Sequence, residues 1–132
     1  MPSLPDLEHL DLAAFLQGAG LEDYTEDCGY LKDIVEVFLS TMPPAILELE
    51  SAVTESRLPE IKRIAHSFKG AMPTFGAVRM GRLCEILDDA AKHHDLSTSK
   101  RLFPQLKIEF EGVLSDMQQL HRFAEETAAE AS

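Results

Sequence analysis

Residues 63–70, RIAHSFKG, place a histidine three positions before a lysine and four before a glycine. On a helical wheel Ile61, Ile64, Ala65, Phe68 and Met72 share an arc of about 100°. His66 lies about 140° from the middle of that arc, and Gly70 lies almost opposite it. Lys62 and Lys69 fall between, on the flank of His66. The imidazole is therefore expected in water, with ammonium groups before and after it along the helix. A neutral imidazole nitrogen is a competent nucleophile toward phosphorus, and an ordinary histidine pKa of about 6.5 leaves much of it neutral near pH 7. The phosphoramidate so formed can pass its phosphoryl group on. Such transfers rest on positioning and charge neutralisation. Lys69, at i+3, is the neighbour that could neutralise the phosphoryl oxygens, with Lys62 as the second candidate. Glycine inside a helix costs about 1 kcal/mol relative to alanine. At position 70 its use is to leave the ring open to a bulky partner.

The surrounding charge supports an anionic visitor. Residues 55–82 hold six basic side chains (Arg57, Lys62, Arg63, Lys69, Arg79, Arg82) against two acidic ones, in a chain of net charge −11. A positive island of this kind suits an anion or an acidic partner. The other histidines offer less. His93, His94 and Asp95 are adjacent, and adjacent helix residues do not face one another, so a cation at a helix C-terminus is the expectation there. His9 and His121 are expected at the surface. Paired Glu-x-x-His motifs of a di-iron bundle are missing, as are GxxxxGK[ST] and GxGxxG, so an ATP site of its own is not expected.

The elements that must hold this histidine read as helices throughout. Residues 7–17 carry Leu7, Leu10, Ala14 and Phe15 at helical spacing, and Gly18 and Gly20 break the pattern. A second stripe runs from about Tyr30 to Glu55, through Leu31, Ile34, Val35, Phe38, Leu39 and Met42, then Ile46, Leu47, Leu49 and Val53. Pro43 and Pro44 predict a kink or brief break within it. The histidine helix is expected over about Pro59–Met72, opened by Pro59 and ended promptly by Pro73 and Gly76. A fourth helix is expected over about Val78–His93, and a fifth over about 100–124 with an irregular start at Pro104. Asp95, Ser97 and Ser99 are the N-cap candidates in the intervening linker. Four amphipathic helices with short connections pack as an antiparallel bundle, and the N-terminal helix is expected to cap one end. The fold class is thus all-α: an antiparallel four-helix bundle with an additional N-terminal helix.

The totals agree. The chain has 132 residues, enough for one core, and 45% of them are apolar. The acidic balance argues against binding nucleic acid or an anionic membrane. No apolar run approaches the roughly 18 residues of a membrane span, and the N-terminus lacks a signal-peptide pattern. A cytoplasmic protein is expected, with Cys28 and Cys84 reduced.

Residues 64–92, IAHSFKGAMPTFGAVRMGRLCEILDDAAK, resemble the signature of histidine-containing phosphotransfer (HPt) domains: A-H-x-L-K-G, then five residues and G-A, then a helix with L-x-x-L spacing and an acidic residue. His66 matches the phosphorylated histidine, Lys69 and Gly70 the Lys-Gly, and Gly76 and Ala77 the turn. Leu83, Leu87 and Asp88 match the following helix, where glutamate is more usual than Asp88. Phe68 replaces the commoner leucine, and Pro73 and Thr74 stand where small residues or asparagine are usual. The resemblance extends more loosely from about Asp11 to Leu120. It implies one HPt domain over 1–132; residues 1–6, with two prolines, and the tail 125–132 are expected to be loose ends. It also implies a phosphocarrier rather than an enzyme, with no cofactor of its own and magnesium supplied by its partners. Those partners are the receiver domain of a hybrid histidine kinase, which donates the phosphoryl group to His66, and that of a response regulator, which accepts it. The chain is expected to be a monomer, docking through Leu58, Lys62, Arg63, Gly70 and Pro73. Its starting methionine and acidic tail lead to the expectation of a free-standing protein, and a module excised from a larger kinase is the alternative. A module that sequesters a receiver or kinase without carrying phosphate stays open, as does a histidine-rich metal enzyme.

Overall fold

A computed structural model describes residues 4–131, so the expectations for residues 1–3 and 132 lie outside the described residues. Five helices follow in order: α1 (Leu12–Ala19), α2 (Cys28–Thr54), α3 (Leu58–Thr74), α4 (Val78–Lys92) and α5 (Leu96–Ala131). No strand occurs among the described residues, and no helix is long and apolar enough to cross a membrane.

Helices α2 to α5 pack as a ring of neighbours, α2 on α3, α3 on α4, α4 on α5 and α5 back on α2. Ion pairs fix the sense of the closing pair. Lys32 meets Glu125, Glu36 meets His121 and Glu50 meets Lys107, so one helix runs down as the other runs up. The pair α3 and α4 is antiparallel by the same argument, since Pro73 lies against Gly81 and His66 lies near Asp88. Each inner stripe meets in a core that fully buries Phe38, Leu49, Ile61, Met72, Leu87 and Leu106. Burying a side chain of this size contributes about 1.5–3 kcal/mol. Leu47, placed in the α2 stripe by its spacing, instead stays 65% exposed.

Three local expectations at prolines give way. Helix α2 continues through Pro43 and Pro44 without a break. An interior proline costs about 3 kcal/mol. Phe38 on one side and Ile46 and Leu49 on the other are buried in the same core, which holds both halves in line. Helix α3 likewise carries Pro73 into its last turn and ends at Thr74, two residues beyond the expected Met72, with Phe75 as its C-cap. Helix α5 begins at Leu96 because Asp95 accepts from the Thr98 amide at 3.0 Å, so Pro104 sits inside it. At its other end the stretch 125–131, expected loose, stays helical, and Thr127 is buried beside the start of α2.

The first helix starts later than expected. Asp11 accepts from the Ala14 amide at 3.1 Å and caps α1, leaving Leu7 and Leu10 in a preceding strap. Leu10 is buried all the same. The Asp11 amide donates to the Gly76 carbonyl at 2.8 Å, which docks α1 on the turn between α3 and α4. That turn needs Gly76, whose φ is 80° and whose missing Cβ would fall 2.4 Å from the Asp11 carbonyl oxygen.

Candidate functional site

Helix α3 buries Ile61, Ile64, Ala65, Phe68 and Met72 and turns its opposite ridge to water. His66 stands on that ridge with 64% of its side chain exposed. Its Nδ1 lies 3.4 Å from Oδ2 of Asp88 on α4. The ring is thus accessible on one edge and anchored on the other. When Nδ1 carries the proton it donates to Asp88, and the Nε2 lone pair is left on the outer edge of the ring.

Asp88 is the organising group, and only 1% of its side chain is exposed. Its Oδ2 also accepts from Lys69 Nζ at 3.4 Å and from Lys92 Nζ at 3.2 Å. Burial by itself raises a carboxyl pKa. Hydrogen bonds from Lys92, His66 and Lys69 outweigh it and hold Asp88 below the usual carboxylate range. The other oxygen, Oδ1, is buried without a hydrogen-bond partner. All the stabilisation therefore converges on the one oxygen that faces α3.

The remaining residues singled out in the sequence divide in two. Lys62 and Gly70 lie on the His66 ridge, and a Cβ on Gly70 would meet nothing within 4 Å. Leu58, half-buried, lines an open cleft of about 690 Å³ between the start of α3 and the end of α4, together with Lys62 and Lys92. Pro73 lies two turns beyond His66, exposed but seated against α4: a Cβ on Gly81 would come within 2.9 Å of its ring. Arg63 points elsewhere. It pairs with Glu48 of α2 and with Glu60, away from Asp88.

The positive island is largely neutralised. Arg57 pairs with Glu55, Lys69 with Asp88, and Arg79 with Glu109. Among the described residues Lys62 and Arg82 alone of the six form no ion pair. The other histidines also resolve. His93 closes α4 and its Nδ1 lies 2.8 Å from the Asp89 carbonyl oxygen. His9 and His121 are less exposed than expected: His9 Nδ1 lies 3.0 Å from Glu109, and His121 Nε2 lies 2.9 Å from Glu36. Among the described residues no three His, Cys, Asp or Glu side chains gather as a metal site. Cys28 and Cys84 are buried free thiols, and burial pushes Cys84 up to about 12.

Lys92 went unmarked in the sequence. Its signal was the Asp88-to-Lys92 spacing of i,i+4, the favourable order for an acid–base pair on a helix, but nothing local says that this acid faces a histidine twenty-two residues earlier. A family model described as Hpt domain matches residues 33–125, a span that covers the histidine helix, the Asp88 helix and most of α2 and α5. No curated protein and no solved structure matches the chain.

Proposed function

This chain belongs to the Hpt domain family, whose role is phosphotransfer in two-component signalling, and on that premise we propose that His66 is the residue that carries the phosphoryl group. The observation that carries the reading is the two-sided setting of the ring. The side chain is 64% exposed, and it is tethered through Nδ1 to a nearly sealed carboxylate. Nε2 attacks the phosphorus of an aspartyl phosphate on a partner receiver. The N–P bond forms as the P–O bond to the aspartyl carboxyl breaks, and the carboxylate leaves with the electron pair. The ring gains positive charge, which the Nδ1–H···Asp88 contact stabilises. Lys69 swings from Asp88 to the phosphoryl oxygens, and Lys62 adds a second cation at the rim. The reverse reaction delivers the group to a second receiver.

The donor in this reading is the receiver of a hybrid histidine kinase and the acceptor that of a response regulator, each bringing its own magnesium. The chain acts as a monomeric phosphocarrier in the cytoplasm. Leu58 and the cleft beside it, Lys62, Gly70 and Pro73 form the surface on which the receiver lands. Arg63, held by Glu48 and Glu60, borders it.

The test is to incubate the chain with a phosphorylated receiver and magnesium and follow acid-labile label. Wild-type protein takes up label and His66→Gln takes up none. Labelling of His66→Gln at the wild-type rate removes the assignment. Tight receiver binding by both forms, with label on neither, shows a sequestering module instead.

A further inference from the structure

As the residue that neutralises the phosphoryl group, Lys69 serves two anions in turn, and that raises a problem of charge. At rest its ammonium lies 3.4 Å from Asp88 Oδ2. Once a dianionic phosphoryl group is attached to His66, Lys69 must leave that carboxylate to reach the phosphoryl oxygens. Asp88 is 1% exposed, and its other oxygen already lacks a partner. Stripping the counter-ion from a sealed carboxylate is costly, because water cannot replace it, unless another cation stays on the carboxylate.

Lys92 removes the difficulty. It is the nearest of the three nitrogens to Oδ2, at 3.2 Å. It sits one turn beyond Asp88 on the same helix, so its hold depends on nothing that α3 does. It also stands at the rim of the open cleft rather than over the His66 ring. We propose that Lys92 is a positioning residue that acts through Asp88: it keeps the carboxylate paired and ionised, and so releases Lys69 to the phosphoryl group. The inference rests on His66 being the phosphoryl carrier. Without Lys92, Lys69 stays on Asp88 and the phosphoryl oxygens lose their ammonium.

The experiment loads the full chain chemically, so that no receiver docking enters. Phosphoramidate is the donor. His66 Nε2 attacks its phosphorus, the N–P bond of the donor breaks, and ammonia leaves. Phosphorus NMR then gives the pKa of the phosphoryl group on His66, which falls when an ammonium sits on its oxygens. Relative to wild type, Lys92→Gln raises that pKa by about 0.5–1, as Lys69→Gln does. Lys92→Arg restores the wild-type value. In an Asp88→Asn background, where no carboxylate competes for Lys69, Lys92→Gln has no further effect. A Lys92→Gln titration identical to wild type overturns the proposal. So does a Lys92→Gln shift that persists undiminished in the Asp88→Asn background, because that is direct action of surface charge. If wild-type His66 takes no phosphoryl group from phosphoramidate or from a receiver, the phosphocarrier reading falls and this inference with it. Loading without Lys92 dependence overturns this inference alone.

Discussion

Three nitrogens converge on one oxygen of Asp88, and each would respond differently to its removal. Asp88→Asn leaves a neutral acceptor that neither draws the Nδ1 proton strongly nor stabilises a cationic ring. A hydrogen bond to a charged group is worth about 1.5–3 kcal/mol, so uptake of label by His66 should slow by at least about tenfold in this variant. Nitrogen NMR of the His66 ring should show the Nδ1–H form losing its dominance. The same carboxylate sets a pH dependence. Its pKa in the folded chain lies below the ordinary value of 3.8, so it contributes stability that is complete above that value and is lost as pH falls through the folded pKa. Urea midpoints measured against pH should therefore fall on the acid side for wild type and show a shallower acid limb for Asp88→Asn.

Two glycines within helices show how an element's surroundings reverse the sign of one substitution. Gly70 faces open space, and its Cβ would touch nothing within 4 Å. Gly70→Ala should gain about 1 kcal/mol from helix propensity alone, raising the melting temperature by roughly 4 °C. Label transfer from a receiver should slow at the same time, because the new methyl group stands where the partner approaches. Gly81 gives the opposite result. Its Cβ would meet the Pro73 ring of α3 at 2.9 and 3.0 Å. Gly81→Ala forces the two helices apart, at a cost of about 1–3 kcal/mol. Since Pro73–Gly81 and His66–Asp88 join the same two helices, thermal melting and the Nδ1 tether should weaken together. Equal melting temperatures for the two variants would remove this account of the α3–α4 pairing.

At the scale of the whole molecule, the strap before α1 closes the bundle from outside. The buried Asp116 of α5 accepts from the His9 amide at 2.6 Å and the Leu10 amide at 3.1 Å. The His9 ring lies over Gly112, where a Cβ would fall 2.4 Å from it, and Arg79 of α4 donates to the Glu8 carbonyl at 2.8 Å. This clamp lies apart from the His66 ridge. Asp116→Ala should release the strap and cost about 1–3 kcal/mol, since two amides lose their acceptor. Hydrogen exchange at the His9 and Leu10 amides should speed up, while chemical phosphorylation of His66 stays at the wild-type level. Loss of both properties together would show that the strap and the site are one unit.

Helical periodicity, the exposed position of His66 and the Lys69–Gly70 spacing were all legible in the sequence, because a helix's repeat is local and assigns each residue to a face without reference to the rest of the chain. The signature around His66 carried the family in the same way. Continuity through Pro43 and Pro44 was not legible, because local cost predicts a break and the burial of Phe38, Ile46 and Leu49 in one core overrides it. Nor was the neutralisation of the positive island: Arg63 meets Glu48 and Arg79 meets Glu109 only after the helices pack. The union of His66, Lys69 and Lys92 on Asp88 belongs to the tertiary structure for the same reason. Which carboxylate faces which imidazole depends on the register of α3 against α4, and side-chain packing between the helices sets that register.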